Sequence, residues 1–279
     1  DLTAKLAFDV SSALKKVTMI CLNWILADTD GNIGYQTSGK IPIRKNGDGT
    51  FPFPVKTTAD NWHGWIPSSA MPAAVNPEKG WLGTCNHKVV KTGFPYYYSS
   101  FFAASYRYRR IKQILDSKEK FSAEQMWQFQ RDTRNLAAEK LAPVIAEILM
   151  DFKDTRKLGS LLAAWNFMDD PNQAGPLIFQ AVYSQFARNV FDDELGSNSD
   201  TLLKSWYFWE ERLQKMVLEG DSPFFDDIRT PETKETMAEL FHKSALDAAK
   251  YLSDRLGQDP EKWEWGKVHT LELVNPLVR

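Results

Sequence analysis

Few of the residues able to do chemistry in this sequence are spaced to do it together. The four histidines, His63, His87, His242 and His269, are scattered along the chain, and no H-E-x-x-H pair exists to anchor a metal. There is no G-x-S-x-G elbow, phosphate-binding glycine loop or dinucleotide fingerprint. The adjacent acids Asp169 and Asp170, and Asp226 and Asp227, would point in different directions on a helix, so they read as solvated helix ends rather than a glycosidase pair. Cys21 and Cys85 are too few for a disulfide framework and have no zinc-ligand spacing, so free structural thiols are expected. The acidic run Asp28, Thr29, Asp30, Gly31, Asn32 invites a calcium-loop reading. It fails on spacing: the glycine is at the fourth position rather than the sixth, and Gly39 stands where a bidentate Glu is needed. A hairpin turn is expected there instead.

The elements that must position any site fall into two regimes. Residues 16–100 are rich in Gly, Pro, Trp and short apolar runs, whereas residues 101–256 are charged and helically periodic. That profile predicts an α+β fold. Val17 to Ala27 reads as a strand with both faces covered, and Ile33 to Thr37 as its hairpin partner. Six prolines between Pro42 and Pro77 favour extended, irregular chain, punctuated by Trp62, Trp65 and Trp81. Those rings either pin the loop down or line an apolar substrate pocket.

Further along, Arg107, Arg110, Ile111 and Ile114 share one side of a predicted helix. Ser122 and Gln125 have capping-box spacing, opening a long helix through Met126, Phe129, Leu136, Leu141 and Ile145 with a bend allowed at Pro143. A helix is expected around Leu158 to Asn166, and another from Thr230, Pro231 and Glu232 to Gly257. Residues 168–229 give no clear pattern.

Composition bounds the function classes. A formal charge of −2, from 34 Lys+Arg against 36 Asp+Glu, removes any bulk attraction to nucleic acid. No run approaches the roughly 20 apolar residues of a bilayer span. The opening Asp1, Leu2, Thr3, Ala4, Lys5 has neither an initiator Met nor a signal-peptide layout, so a cut at that point is expected.

A set of ordered patterns resembles the β chain of penicillin acylases, members of the N-terminal nucleophile hydrolases. They are NWILADTDGNIGY at residues 23–35, GKIPIR at 39–44, WHGWIP at 62–67 with Met71 and Pro72, NPEKGWLGTCN at 76–86, RYRRI at 107–111 and WEWGKVH at 263–269. The resemblance implies part of an αββα sandwich: a β-rich segment with its Pro/Trp-rich loop over residues 1–100, a helical lobe over 101–262 and a return segment over 263–279. By the same resemblance, Asn86 stands where the family has an asparagine whose amide donates to the oxyanion of the tetrahedral intermediate. Arg107 stands where the family has an arginine near the nucleophile.

The activity so implied is cleavage of a linear acyl amide by an N-terminal nucleophile whose own amine is the base. Asp1 and its neighbours lack the family's serine-asparagine opening, so this chain is expected to be an inactive internal fragment. Its implied partners are the α chain and remaining β chain of one precursor and a small acyl amide, with no nucleic acid and no membrane span. Periplasmic or secreted localisation follows from the resemblance alone. No cofactor is implied for this chain: many members bind calcium, but the aspartate expected after the asparagine is not evident among Pro95, Tyr96, Tyr97 and Tyr98. The family's second histidine before Pro-Leu is replaced by Asn275, ahead of Pro276 and Leu277. A rival reading is a noncatalytic aromatic-rich platform for carbohydrate or peptide.

Overall fold

A computed structural model describes residues 7–118 and 120–274; Asn275, Pro276 and Leu277 lie outside them. The fold is α+β. By contacts the chain divides into two units, Asp1–Met126 and Trp127–Arg279.

The first unit holds helix α1 (Ala7–Leu14) and a three-stranded antiparallel sheet ordered β1 (Asn23–Ala27), β2 (Ile33–Thr37) and β3 (Ala73–Val75). The β1–β2 hairpin, in register Ala27 to Ile33, turns where the acidic run stands. Asp28 makes the turn: its Oδ1 accepts from the backbone N–H groups of Asp30 and Asn32, and its Oδ2 from the Asn32 side chain. The acids are thus consumed by local backbone.

The strand is shorter than expected. Residues 17–22 are not in the ladder, because Val17, Thr18 and Leu22 give their carbonyls to Gly39, Lys40 and Ser38 as an irregular strap. Nor are both faces of β1 covered: Ile25 is 49% exposed and Trp24 36%. β2 is the covered strand, with Gln36 fully buried and bonded to Ser11 of α1. A small core of Ile41, Ile66 and Met71 holds the proline-rich loop. Helix α2 (Tyr106–Leu115) follows, on the periodicity expected.

Ser122 and Gln125 exchange the two capping-box hydrogen bonds, but the helix they open, α3, covers only Ala123–Phe129. The predicted continuous helix breaks at 130–137 rather than at Pro143. There Thr133 and Arg134 pair with Met168 and Asp169, and Asn135 caps a new start by accepting from Ala138 N–H. Tertiary pairing overrides helical propensity. Pro143 is carried inside α4 (Ala138–Asp151).

The second unit continues with α5 (Arg156–Ala163), α6 (Gly175–Leu195), α7 (Ser199–Leu203), α8 (Glu210–Glu219) and α9 (Met237–Leu256). Helices α4 and α5 approach closely at Gly159, where an added Cβ would stand 2.8 Å from the Ala146 carbonyl oxygen. Phe186 of α6 stacks on Phe241 of α9 at 3.7 Å, both fully buried. α9 starts at Thr236, six residues after the predicted cap; Thr236 forms the capping box with Glu239, whereas Thr230 bonds Glu235 in the preceding loop. Its end at Gly257, φ +93°, is as expected. Trp263, first residue of the anticipated return segment, is buried in the core of this helical unit.

No helix among the described residues is long and apolar enough to cross a membrane.

Candidate functional site

The turn preceding α2 is built around an asparagine in the left-handed region. Asn86 has φ +59°, a conformation that asparagine tolerates better than most residues because its short polar chain can bond locally. Such backbone outliers persist only where the surroundings fix them.

Here both flanks are fixed. The Asn86 carbonyl accepts from Ala103 N–H at 2.8 Å. Cys85, just before it, is buried, and burial pushes its thiol pKa up against the pull of the Arg107 charge. On the far side the His87 ring stacks on Tyr108 of α2 with centroids 3.8 Å apart. Six residues earlier, Trp81 donates from Nε1 to Asp116, the C-cap of α2, at 2.8 Å. The 81–87 loop is therefore stapled along α2 at both ends, over nine residues or about 13 Å of helix.

Arg107 completes the arrangement. From the first turn of α2 its Nη2 donates to Asn86 Oδ1 at 2.9 Å and to the Cys85 carbonyl at 3.0 Å. The structure thus brings together the two residues singled out from the sequence, 21 positions apart. A guanidinium has donors only, so the amide atom facing it must be the oxygen. That fixes the orientation of the side chain and leaves Nδ2, with its two donors, without a partner among the described residues. A preset amide donor costs no reorganisation when negative charge develops in front of it. Arg110 by contrast bonds Gln113 on its own helix.

Nothing in the residue pattern pointed to the cleft beside this turn. It has a volume of about 310 Å³ and is lined by Tyr35, Lys79, Leu82, Gly83, Thr84, His87, Lys88, Val89 and Tyr108. Lys79 sits 3.7 Å above the Trp81 ring and reaches Tyr108 Oη at 3.5 Å. Burial, then the Lys79 charge, lowers the His87 pKa below its usual value. Burial pushes Tyr35 up to about 12, and its hydroxyl bonds Asn23 and Thr37. Lys79 and His87 are eight positions apart, Tyr108 stands 21 further on, and the three follow no shared period, so only the folded loop reveals them together.

Trp81 serves as a buried pin. Trp62 and Trp65 form an exposed edge-to-face pair at 5.5 Å under Arg44 and Lys40. Both cysteines are free, Cys21 exposed and Cys85 buried. Among the described residues no group of three or more His, Cys, Asp or Glu is placed to hold a metal ion.

The fold and this turn define an α+β protein that presents an oriented side-chain amide from a strained loop. Residues 2–279 match the family described as Penicillin amidase, and the chain belongs to that family. It is 29% identical to "Acyl-homoserine lactone acylase QuiP" of Pseudomonas aeruginosa, over 97% of this chain and 34% of that protein. It is 31% identical to "Penicillin acylase 2 proenzyme" of a Pseudomonas species, over 60% of this chain and 21% of that protein. Among solved structures, a thermostable penicillin G acylase from Alcaligenes faecalis shares the fold with a TM-score of 0.69 at 20% identity, covering 93% of this chain and 51% of the other. The chain spans about a third of the length of the curated relatives it matches along nearly its whole length, 34% in three of them.

Proposed function

We propose that the full-length protein containing this chain is an amidohydrolase that cleaves a linear acyl amide by acyl transfer to an N-terminal nucleophile. The observation that carries the reading is the Arg107 to Asn86 hydrogen bond, which turns the Asn86 Nδ2 donors outward on a backbone fixed in the left-handed region. In this reading Asn86 donates to the oxyanion in both tetrahedral intermediates. Arg107 is a positioning residue that holds the amide the right way round. The names of the relatives support an acylase, and family membership favours acyl transfer over an aromatic ligand platform.

The nucleophile belongs to polypeptide outside these 279 residues, in the α- and β-chain remainder of the same precursor, and the chain alone is inactive. The full-length, processed protein should release amine from a chromogenic phenylacetyl or fatty-acyl amide. Failure to hydrolyse any acyl amide of either kind, with the fold intact by circular dichroism, would remove the proposal.

A further inference from the structure

We propose that the cleft bounded by Lys79, Lys88, His87 and Tyr108 is a subsite for a carboxylate carried by the substrate, so that the protein prefers anionic over neutral acyl amides. The inference rests on the acyl-amide reading above.

None of the residues lining the cleft is acidic, while two are lysines. Lys88 has no hydrogen-bond or ion-pair partner among the described residues. Lys79 has aromatic and hydroxyl neighbours in place of a carboxylate: the Trp81 ring, the Tyr108 ring at 5.8 Å and the Tyr108 hydroxyl. A lysine held on a ring face keeps its charge available while losing much of its rotamer freedom, which reduces the entropic cost of binding an anion. Asp116 is the acid whose charge interacts with Lys79, but its carboxylate is already bonded to Trp81 Nε1 and Lys112.

The cleft adds neutral donors and an apolar side. Thr84 and Tyr108 bring hydroxyls, and Leu82 and Val89 bring carbon surface. A volume of about 310 Å³ is at the small end of ligand pockets, fitting a short acid rather than a whole drug-sized molecule. Its position is the further point. Thr84 and His87 flank Cys85 and Asn86 in the same short turn, so an acid seated here is held next to the amide donor.

The test uses two substrate pairs on the full-length processed protein. N-phenylacetylglycine against N-phenylacetylglycinamide places the charge on the amine side. Glutaryl-4-nitroanilide against butyryl-4-nitroanilide places it on the acyl side. In the Lys79→Met/Lys88→Met double variant the anionic-over-neutral ratio of kcat/KM should fall about tenfold in one pair, which also tells which side enters the cleft. Unchanged ratios in both pairs would overturn the subsite. Inhibition by inorganic phosphate as strong as by N-acetylglycine would overturn the assignment to a carboxylate.

If the wild-type protein hydrolyses none of the four, the acylase reading fails separately. Calorimetric binding of N-phenylacetylglycine to wild type and double variant then decides the subsite: loss of binding in the variant supports it, and equal or absent binding overturns it.

Discussion

Replacing Asn86 by Asp separates its chemical role from its structural one. Aspartate shares the tolerance of asparagine for a φ of +59° and keeps an oxygen for the Arg107 guanidinium, so both supports of the turn survive. Because the two side chains are exposed, the change in the Arg107 bond is worth less than about 1 kcal/mol, and the melting temperature should move little. What disappears is every N–H donor on the side chain, replaced by a carboxylate oxygen facing the position where negative charge develops. Loss of one such donor costs about 3–4 kcal/mol of transition-state stabilisation, roughly 10²- to 10³-fold in kcat, and the added charge makes that a lower bound.

Asn86→Ala provides the contrast. It loses the same donors, but a Cβ residue without a local bonding group pays about 1–2 kcal/mol in the left-handed region, so turnover and stability both fall. Stopped or steady-state kinetics with a chromogenic acyl amide, alongside thermal melts, read the two quantities independently. If Asn86→Asp kept turnover within tenfold of wild type, or if losses in turnover followed losses in melting temperature across the two variants, the oxyanion assignment would be wrong.

Arg107→Lys should lower kcat by about tenfold with a smaller effect on KM, since a point charge cannot hold Asn86 Oδ1 and the Cys85 carbonyl in the same fixed fork; steady-state kinetics check it. Lys79→Met should raise the His87 pKa, because removing a neighbouring like charge favours the imidazolium, and an NMR titration of the ring reads the direction. Phe241→Ala should destabilise the helical unit by about 3–5 kcal/mol, as it removes a fully buried ring stacked on Phe186; chemical denaturation measures it. Desolvation, then the hydrogen bond its protonated carboxyl donates to Asp193, pushes Glu194 up to about 7. A raised carboxyl pKa means the folded state holds the proton more tightly, so this contribution is present below the ordinary Glu range and is lost as pH climbs to about 7. Glu194→Gln should flatten that part of the melting-temperature profile, only slightly because the side chain is exposed.

Local chemistry was what the sequence displayed best. The Asp28 turn, the Ser122 capping box and the Gly257 stop are each decided by neighbours within a few residues, and all three stand where their residue types place them. What depended on distant partners was less visible. The break between α3 and α4 comes from pairing with Met168 and Asp169, more than thirty residues away. The unpatterned stretch 168–229 contains α6, whose buried residues include Leu177, Ile178, Phe179, Val182 and Phe186, so apolar side chains occupy too much of its circumference to leave a stripe. The pairing of Asn86 with Arg107 could be anticipated only by family resemblance; their spacing alone carries no period. The lysine-bearing cleft was invisible because the loop and α2 make it jointly.

The bare outer edge of β1 has a practical bearing on work with these 279 residues alone. Its backbone groups, unpaired among the described residues, run beside Leu22 and Ile25, both about half exposed, and Met19, almost wholly so. An edge of that kind is a template for a strand from another molecule. Concentrated preparations of the isolated piece will therefore tend to self-associate through this hairpin, and a lysine placed at Ile25 is the simplest way to keep them dispersed.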